Sequence, residues 1–554
     1  MKKILIALFS AFIITTSSFA QEAKSEILKN DFQVTLQWLE QKPKSYSKDF
    51  FIIQYLNQDN ISLEDAKKAY SMVKRKSRYT KQAYKKYRKI TTKNLECYKA
   101  SINKLLNMNN EKCVALGLSL KEASKISKKR LLKFIEKINN YATFKKDLRI
   151  LYNGDIGSES LNYGYSNFFK YFFKIGTSFR NKNYNRNYSD EFINKLASQK
   201  QFEMLIRYTI YKKNILQKLQ KSLLNTKDNK NLTPNALFLL GINAVNHNNE
   251  QKAYYFFQKS YSKSYLRRDK DKALFWSYLV TDNKSFLYAL TKSWDINIYS
   301  AYAKELLEIP LENIIYDIEI PNTPTKYDIH DQFSWIKVLD DTKKNLTEDK
   351  MKKYESIFTH EDTKPHLAYV LNRFNKYTKH YYITPYENFT KDYTTYKKVL
   401  LYSIARQESL FIPSSISFST AQGIMQIMPF LSKDIAKKLD EDYNIYEQFD
   451  PKTNIKYGSF HLNTLMKQFN NNPLFIAYAY NGGAGYTKSQ FKKGLFKRID
   501  KKYEPFLSME MISYPETKKY GKKVLTNYYV YNNYLNPKNK IRLSTIFQTL
   551  VAPN

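Results

Sequence analysis

The chain has 554 residues, more than one ordinary hydrophobic core organises, which predicts two or more domains. Hydrophobic residues make up 43% and charged residues 26%, which excludes a disordered tail; 13 glycines and 15 prolines exclude collagen-like or low-complexity character and argue against many tight β-turns. Lys and Arg outnumber Asp and Glu by 91 to 51, a formal net charge of +40 that favours anionic partners, although Lys, Asn, Ile and Tyr are abundant together, as an AT-rich coding sequence would make them.

The chain opens MKKILIALFSAFIITTSSFA: two lysines, an apolar stretch from Ile4 to Ile14, and Ser18-Phe19-Ala20 as a small-x-small cleavage site. This is the pattern of a secretory signal peptide over residues 1–20. The alternative, a membrane anchor, needs an apolar run of ~20 residues. Export to the periplasm is expected, with no transmembrane anchor in the mature protein, and it argues against nucleic acid as a partner. In an oxidising compartment Cys97 and Cys113 can form a local disulfide, worth about 3 kcal/mol by loop closure; two buried free thiols are the alternative. Two cysteines make no zinc site, and His360-Glu361 lacks the second histidine of an HExxH motif, so no metal is expected.

Only Pro43 and Pro234 precede residue 310, and glycine is scarce there too, so residues 21–310 read as helix after helix. In ALFLLGINAVNHNNEQKAYYFFQKSY, Leu237, Leu240, Gly241, Ala244 and Val245 share one helical face. Asn246 to Asn249 make a polar turn, and Ala253, Phe256, Phe257 and Tyr261 share a second face. Such a hairpin must stack on neighbours to bury its apolar face, which predicts an irregular α-superhelical solenoid, with a compact helical bundle as the alternative. Pro310, Pro321 and Pro324 punctuate a break; helices are expected to resume through KPHLAYVLNRFNKYTKHYY, making a linker over 311–381. From 382 to 554 helices alternate with Gly- and Pro-containing loops. The fold class expected is mainly all-α.

The chemistry concentrates in YKKVLLYSIARQESLFIPSSISFSTAQGIMQIMP. Leu401, Ile404 and Ala405 stand seven, four and three residues before Glu408, which therefore continues an apolar stripe at a helix end. Burial and the negative end of the helix dipole both favour the neutral acid, and a carboxyl with a raised pKa can protonate a leaving oxygen. A partly exposed Glu at a helix end is the competing reading of that stripe alone.

Glu408-Ser409, Gly423-Ile424-Met425-Gln426 and Ala479-Tyr480-Asn481-Gly482-Gly483 follow one another in the order of the lysozyme-like domain of the soluble lytic murein transglycosylases (Slt-type), and the chain resembles that family. Tyr514 to Leu525, YPETKKYGKKVL, is similar to the family's Glu-Thr-Arg-x-Tyr-Val segment. The resemblance is sharp over about 382–535, and over the N-terminal part it rests on layout: superhelix, linker, catalytic domain. It implies non-hydrolytic cleavage of the MurNAc-β-1,4-GlcNAc bond of peptidoglycan to 1,6-anhydro-MurNAc ends, with no cofactor and with Glu408 as general acid and then base. It places Ser417, Gln426, Met428, Tyr480, Asn481 and Glu516 along the substrate, although Asn481 also suits fixing the turn and Met428 core packing. A muramidase on the same fold and a non-catalytic peptidoglycan-binding scaffold, its solenoid holding envelope proteins, are the alternatives. Three departures stand out. Thr420 occupies a family glycine position, so if that position needs positive φ the loop is expected to be shaped differently; Lys518 replaces an arginine and Gly521 a valine. Gly482 to Ser489 has the flavour of a phosphate loop but lacks the Gly before Lys488.

Overall fold

Prolines that would break a helix interior stand instead in first turns: Pro234, Pro365, Pro429, Pro451, Pro473 and Pro515 each occupy the first two positions of a helix, where no amide donor is needed. Ser45, Ser62, Ser77, Ser101 and Ser189 cap others by accepting from a backbone N–H of the first turn. In this computed structural model, which describes residues 25–29, 31–87, 95–154, 164–212, 214–344, 346–497 and 501–553, helix follows helix from end to end. The expected signal peptide, residues 1–20, lies outside the described residues. Among them the only sheet is a parallel pair of two-residue strands, Ile314–Ile315 with His380–Tyr381. The fold is all-α in class.

The expected hairpin is formed by the helices Pro234–Asn246 and Glu250–Lys263, and the predicted faces are buried except for a half-buried Tyr261. The helix Arg267–Thr281 stacks on it, inserting Trp276 against Phe238 and Phe257 at ring separations of 6.3 and 5.6 Å. Cys97 and Cys113 are joined as a disulfide between the helices Leu95–Lys99 and Glu111–Gly117.

One helix is shorter than expected. The segment beginning at Lys364 is helical only to Phe374, because Lys376 and Tyr377 take left-handed conformations (φ 52° and 64°) and unwind the chain. His380 and Tyr381, expected to be helical, instead pair with Ile314 and Ile315, stitching the two ends of the middle segment together.

The chain closes on itself. Residues from Ile27 to Ala83 form a core that also includes Phe333 and Phe449, with Phe51 stacked on Phe333 and on Tyr446 at 5.8 and 6.0 Å. A second tie is ionic. The buried carboxylate of Glu510 accepts from Lys522 Nζ at 2.5 Å and from the Tyr299 hydroxyl at 2.6 Å, while Lys518 Nζ donates to the Glu510 carbonyl and to Tyr211 Oη, both at 2.8 Å. Burial alone would push the Glu510 carboxyl up, but the ammonium groups of Lys522, Lys518 and Lys272 outweigh it and hold it well below the usual range. Among the described residues no helix is long and apolar enough to cross a membrane.

Candidate active site

The helix Thr395–Glu408 buries Leu401, Ile404 and Ala405 and delivers Glu408 at its last turn. It stops there because Leu410 and Phe411 are left-handed (φ 56° and 66°) and Pro413 follows. Ser409 caps the end by donating from Oγ to the carbonyl of Ile424 at 2.7 Å, which fastens the acid's helix to the loop 415–427.

That loop is held rigidly. Gly423 has φ +75°, and a Cβ there would stand 2.3 Å from the Gln448 carbonyl oxygen and 2.5 Å from Asn454 Nδ2, so only glycine fits. Asn454, buried on the helix Pro451–Gln468, accepts from the Met425 N–H at 2.7 Å and donates to the Gln422 carbonyl at 3.2 Å. Thr420 itself adopts φ +70°, a left-handed corner in which this loop carries the strain of a β-branched residue.

Glu408 is half-buried beside this loop, and the hydroxyl of Tyr520 donates to its Oε1 at 2.7 Å. Burial pushes the Glu408 carboxyl up to about 8. The Tyr520 bond pulls the other way by stabilising the carboxylate, and the negative charge of Glu516 adds to the rise. At neutral pH Glu408 is therefore a protonated acid with a hydrogen-bond donor already aimed at its conjugate base. The Tyr520 and Tyr480 hydroxyls are pushed well above the ordinary phenol range, by burial first and then by the charge of Glu408, so neither ionises.

The remaining candidates divide. Tyr480 lies near the acid, but its hydroxyl donates to the Met425 carbonyl at 2.6 Å and so braces the loop. Gln426, expected along the substrate, spends Nε2 on the carbonyls of Ser415 and Gly423 at 3.0 and 2.9 Å. Ser417 Oγ accepts from the N–H groups of Ser419 and Ala421 at 3.2 and 3.0 Å, leaving its own proton to donate. Met428 is half-buried just before the helix Pro429–Lys438, next to the exposed ring of Phe430. Asn481 Oδ1 accepts from Thr517 Oγ1 at 2.8 Å and ties the 479–483 turn to the helix Pro515–Leu535, on whose first turn Glu516 is exposed. Gly521 stands where it does because a Cβ would meet the Tyr478 ring at 2.1 Å; the buried tyrosine fills the space a valine would occupy.

Sequence reasoning missed Tyr520 as a partner of the acid. Its signal was its place in the Tyr514–Leu525 segment, at the tyrosine of the motif. It also missed His461, whose ring lies 5.3 Å from that of Tyr480 and is kept neutral, its pKa lowered to about 4 by burial and then by Lys438. No motif marks that histidine.

Residues 386–502 match the family model of the transglycosylase SLT domain, and the chain carries that domain. A soluble lytic murein transglycosylase of Escherichia coli K12 is 33% identical over 165 residues, 29% of this chain and 25% of the relative. A putative soluble lytic murein transglycosylase of Haemophilus influenzae is 40% identical over 88 residues, 16% of this chain and 15% of the relative. The aligned part thus spans a quarter or less of those relatives' length. Among solved structures, the lytic transglycosylase Slt of Pseudomonas aeruginosa aligns over 90% of this chain and 83% of its own, with 15% identity and a TM-score of 0.44.

Proposed function

We propose that the chain is an exported, periplasmic peptidoglycan lytic transglycosylase. In this reading residues 21–310 form the solenoid, 311–381 the linker and 382–554 the catalytic domain. The observation that carries it is the protonated Glu408, poised at a pKa of about 8 with Tyr520 on Oε1, inside a segment matching the SLT domain.

The reaction follows from one carboxyl. Glu408 gives its proton to the glycosidic oxygen between MurNAc and GlcNAc as the C1–O bond breaks. The carboxylate left behind is stabilised by the Tyr520 hydroxyl. It then takes the proton of the muramyl C6 hydroxyl while that oxygen closes on C1, giving the 1,6-anhydro ring and restoring the acid. No water enters. Ser417, with a free hydroxyl proton, and the Met428–Phe430 surface line the glycan; Gln426, Tyr480 and Asn481 support through the loop and turn they brace.

Glu516 favours a second reading. A muramidase needs another carboxylate to activate water or trap C1, and Glu516 is close enough for its charge to act on Glu408. Digestion of purified peptidoglycan by wild type and Glu408→Gln, followed by mass analysis, decides between them. Anhydro ends that vanish in Glu408→Gln support the transglycosylase; reducing ends support the muramidase; fragments from Glu408→Gln remove Glu408 from the chemistry.

A further inference from the structure

The loop 415–427, which Ser409 fastens to the acid's helix, has a second side, and there it leans on the short 3-10 helix Ile445–Phe449. Gln422 Nε2 donates to the Ile445 carbonyl at 3.0 Å, and Asn454 Nδ2, besides holding the Gln422 carbonyl, donates to Gln448 Oε1 at 3.1 Å. Gln422 is also the centre of the loop's own pairing. It exchanges both backbone hydrogen bonds with Ile427 at 3.0 Å and bridges to Ile416. A shift of the 445–449 helix therefore reaches Gln422 through a direct bond, and reaches Ile424 and Met425 through the backbone that follows it.

The other face of that helix belongs to the N-terminal core. Phe449 is fully buried, with its ring edge-on to Phe50 at 5.9 Å. Tyr446 stacks on Phe51 at 6.0 Å and meets Phe32 edge-on at 5.1 Å. Ile416 and Ile445 pack on the same core, and the Arg75 guanidinium lies 5.0 Å from the ring centre of Phe418, in the turn between the paired Ile416 and Gln422. Helices that come first in the chain thus press on the loop from one side, while Ser409 and Tyr480 hold it from the other. A 3-10 segment of 5 residues has few hydrogen bonds of its own, and those of poor geometry, so its place is set by the rings packed on it.

We propose that Phe50 and Phe51 are positioning residues for Glu408: packed on Phe449 and Tyr446, they fix the 445–449 helix and, through Gln422, the loop that seats the acid. This rests on the reading of Glu408 as the proton donor. A loosened loop misplaces the acid and lets water reach it, which removes part of the burial that keeps it neutral. The groups whose charge or hydroxyl acts on Glu408 stand elsewhere. Tyr520 and Glu516 are on the helix Pro515–Leu535 and Tyr480 is on the helix Pro473–Gly482, and among the described residues neither helix contributes to the N-terminal core. A change at Phe50 reaches the acid by way of the loop.

Phe50→Leu and Phe449→Leu break one contact from its two sides, and Phe51→Leu breaks the neighbouring one. On soluble glycan strands each should lower kcat roughly three- to tenfold and leave KM within about twofold. In each the alkaline limb of the pH–rate profile should move to lower pH, which a mere loss of folded protein would not cause. Phe50→Leu/Phe449→Leu should be no slower than the slower single variant, because the contact is already gone. Tyr84→Leu is the control. Tyr84 stacks on Tyr70 at 4.1 Å in the same core and, among the described residues, has no ring contact with the 445–449 helix, so kcat and the limb should stay as in wild type. Hydrogen exchange reads the loop without turnover. The Gly423, Met425 and Ile427 amides, bonded to the Ser415 carbonyl, Asn454 Oδ1 and the Gln422 carbonyl, should exchange roughly tenfold faster in Phe50→Leu and unchanged in Tyr84→Leu. Melting curves set a temperature at which every variant is folded; should Phe50→Leu not fold, Phe449→Leu and Phe51→Leu carry the same test. An unmoved limb, additive losses in Phe50→Leu/Phe449→Leu, unchanged exchange, or the same changes in Tyr84→Leu overturns the assignment. Turnover by Glu408→Gln beside the expected exchange would sink the reading of the acid and leave the positioning of the loop standing.

Discussion

The Tyr520 hydroxyl donates to Oε1 of Glu408 across 2.7 Å, joining the first third of the helix Pro515–Leu535 to the last turn of the helix Thr395–Glu408. This bond stabilises the charged form of an acid that its surroundings otherwise keep neutral. A hydrogen bond to a charged group is worth about 1.5–3 kcal/mol. Tyr520→Phe should therefore lower kcat roughly ten- to a hundredfold, because the carboxylate formed in the first half of the reaction loses its donor. The alkaline limb of the pH–rate profile should move to higher pH, since the neutral form is then favoured further. A reduced rate with an unmoved limb would make Tyr520 a spacer only.

Glu408 itself links activity to stability. Its folded pKa of about 8 lies above the unfolded value of about 4.5, so between those values the folded chain holds a proton that the unfolded chain has lost. Stability is then greatest below pH 4.5, as far as this group is concerned, and falls as pH rises toward 8. Glu408→Gln removes the titration. It should melt higher than wild type, with a gain that grows from pH 5 to pH 8 and reaches on the order of 2 kcal/mol after allowance for partial exposure. The wild-type rate, which needs the protonated acid, should fall about tenfold per unit above pH 8. A melting difference independent of pH would contradict the raised pKa.

The acid was legible because local rules agree at it. Leu401, Ile404 and Ala405 set the face, Pro413 limits the helix, and the motif order supplies the context. The hairpin at 234–263 was legible for the same reason, since its two faces repeat within one short stretch. What stayed hidden depends on distant partners. Nothing near Phe51 announces Phe333 or Tyr446, and nothing near Tyr299 announces Glu510. Direction was hidden as well. Tyr480 and Tyr520 are both phenols in family-like motifs, and only packing turns one to the Met425 carbonyl and the other to Glu408. Lys376 and Tyr377 end a helix whose apolar pattern continues past them, because left-handed lysine and tyrosine carry no sequence mark of the kind glycine provides.

Thr420 offers a test of loop strain apart from chemistry. A β-branched side chain at φ +70° costs roughly 1–2 kcal/mol, and glycine gives back part of that through its freer unfolded chain. Thr420→Gly should stabilise the protein by about 0.5–1 kcal/mol in denaturant titration. Thr420→Ala keeps a Cβ in the same conformation and loses the hydroxyl that donates to the Ser419 carbonyl at 2.5 Å, so it should not stabilise. Equal effects of the two would remove backbone strain as the cause.

Glu510 tests the tie between the early helices and the terminal region. Replacing it with glutamine leaves the ammonium groups of Lys522 and Lys518 buried without their counter-charge, and breaking a buried pair from one side costs about 3–5 kcal/mol. Lys522, whose pKa is already lowered to about 8 by burial against the pull of Glu510, can release its proton, so Glu510→Gln should fall at the low end of that range. The pH dependence has the opposite sign to that of Glu408. The folded carboxyl of Glu510 titrates below its unfolded value of about 4.5, so its contribution is complete above that pH and is lost as pH falls through the depressed folded value. Wild type should lose stability on acidification below pH 4.5 more steeply than Glu510→Gln, and the two stability curves should converge toward pH 2. Because Lys522 and Lys518 sit on the same helix as Tyr520, loosening this tie should also reduce turnover without moving the pH limb set by Glu408. A variant with wild-type acid stability would show that the helix is held by its apolar contacts to Tyr382, Tyr402 and Tyr478, not by the charge cluster.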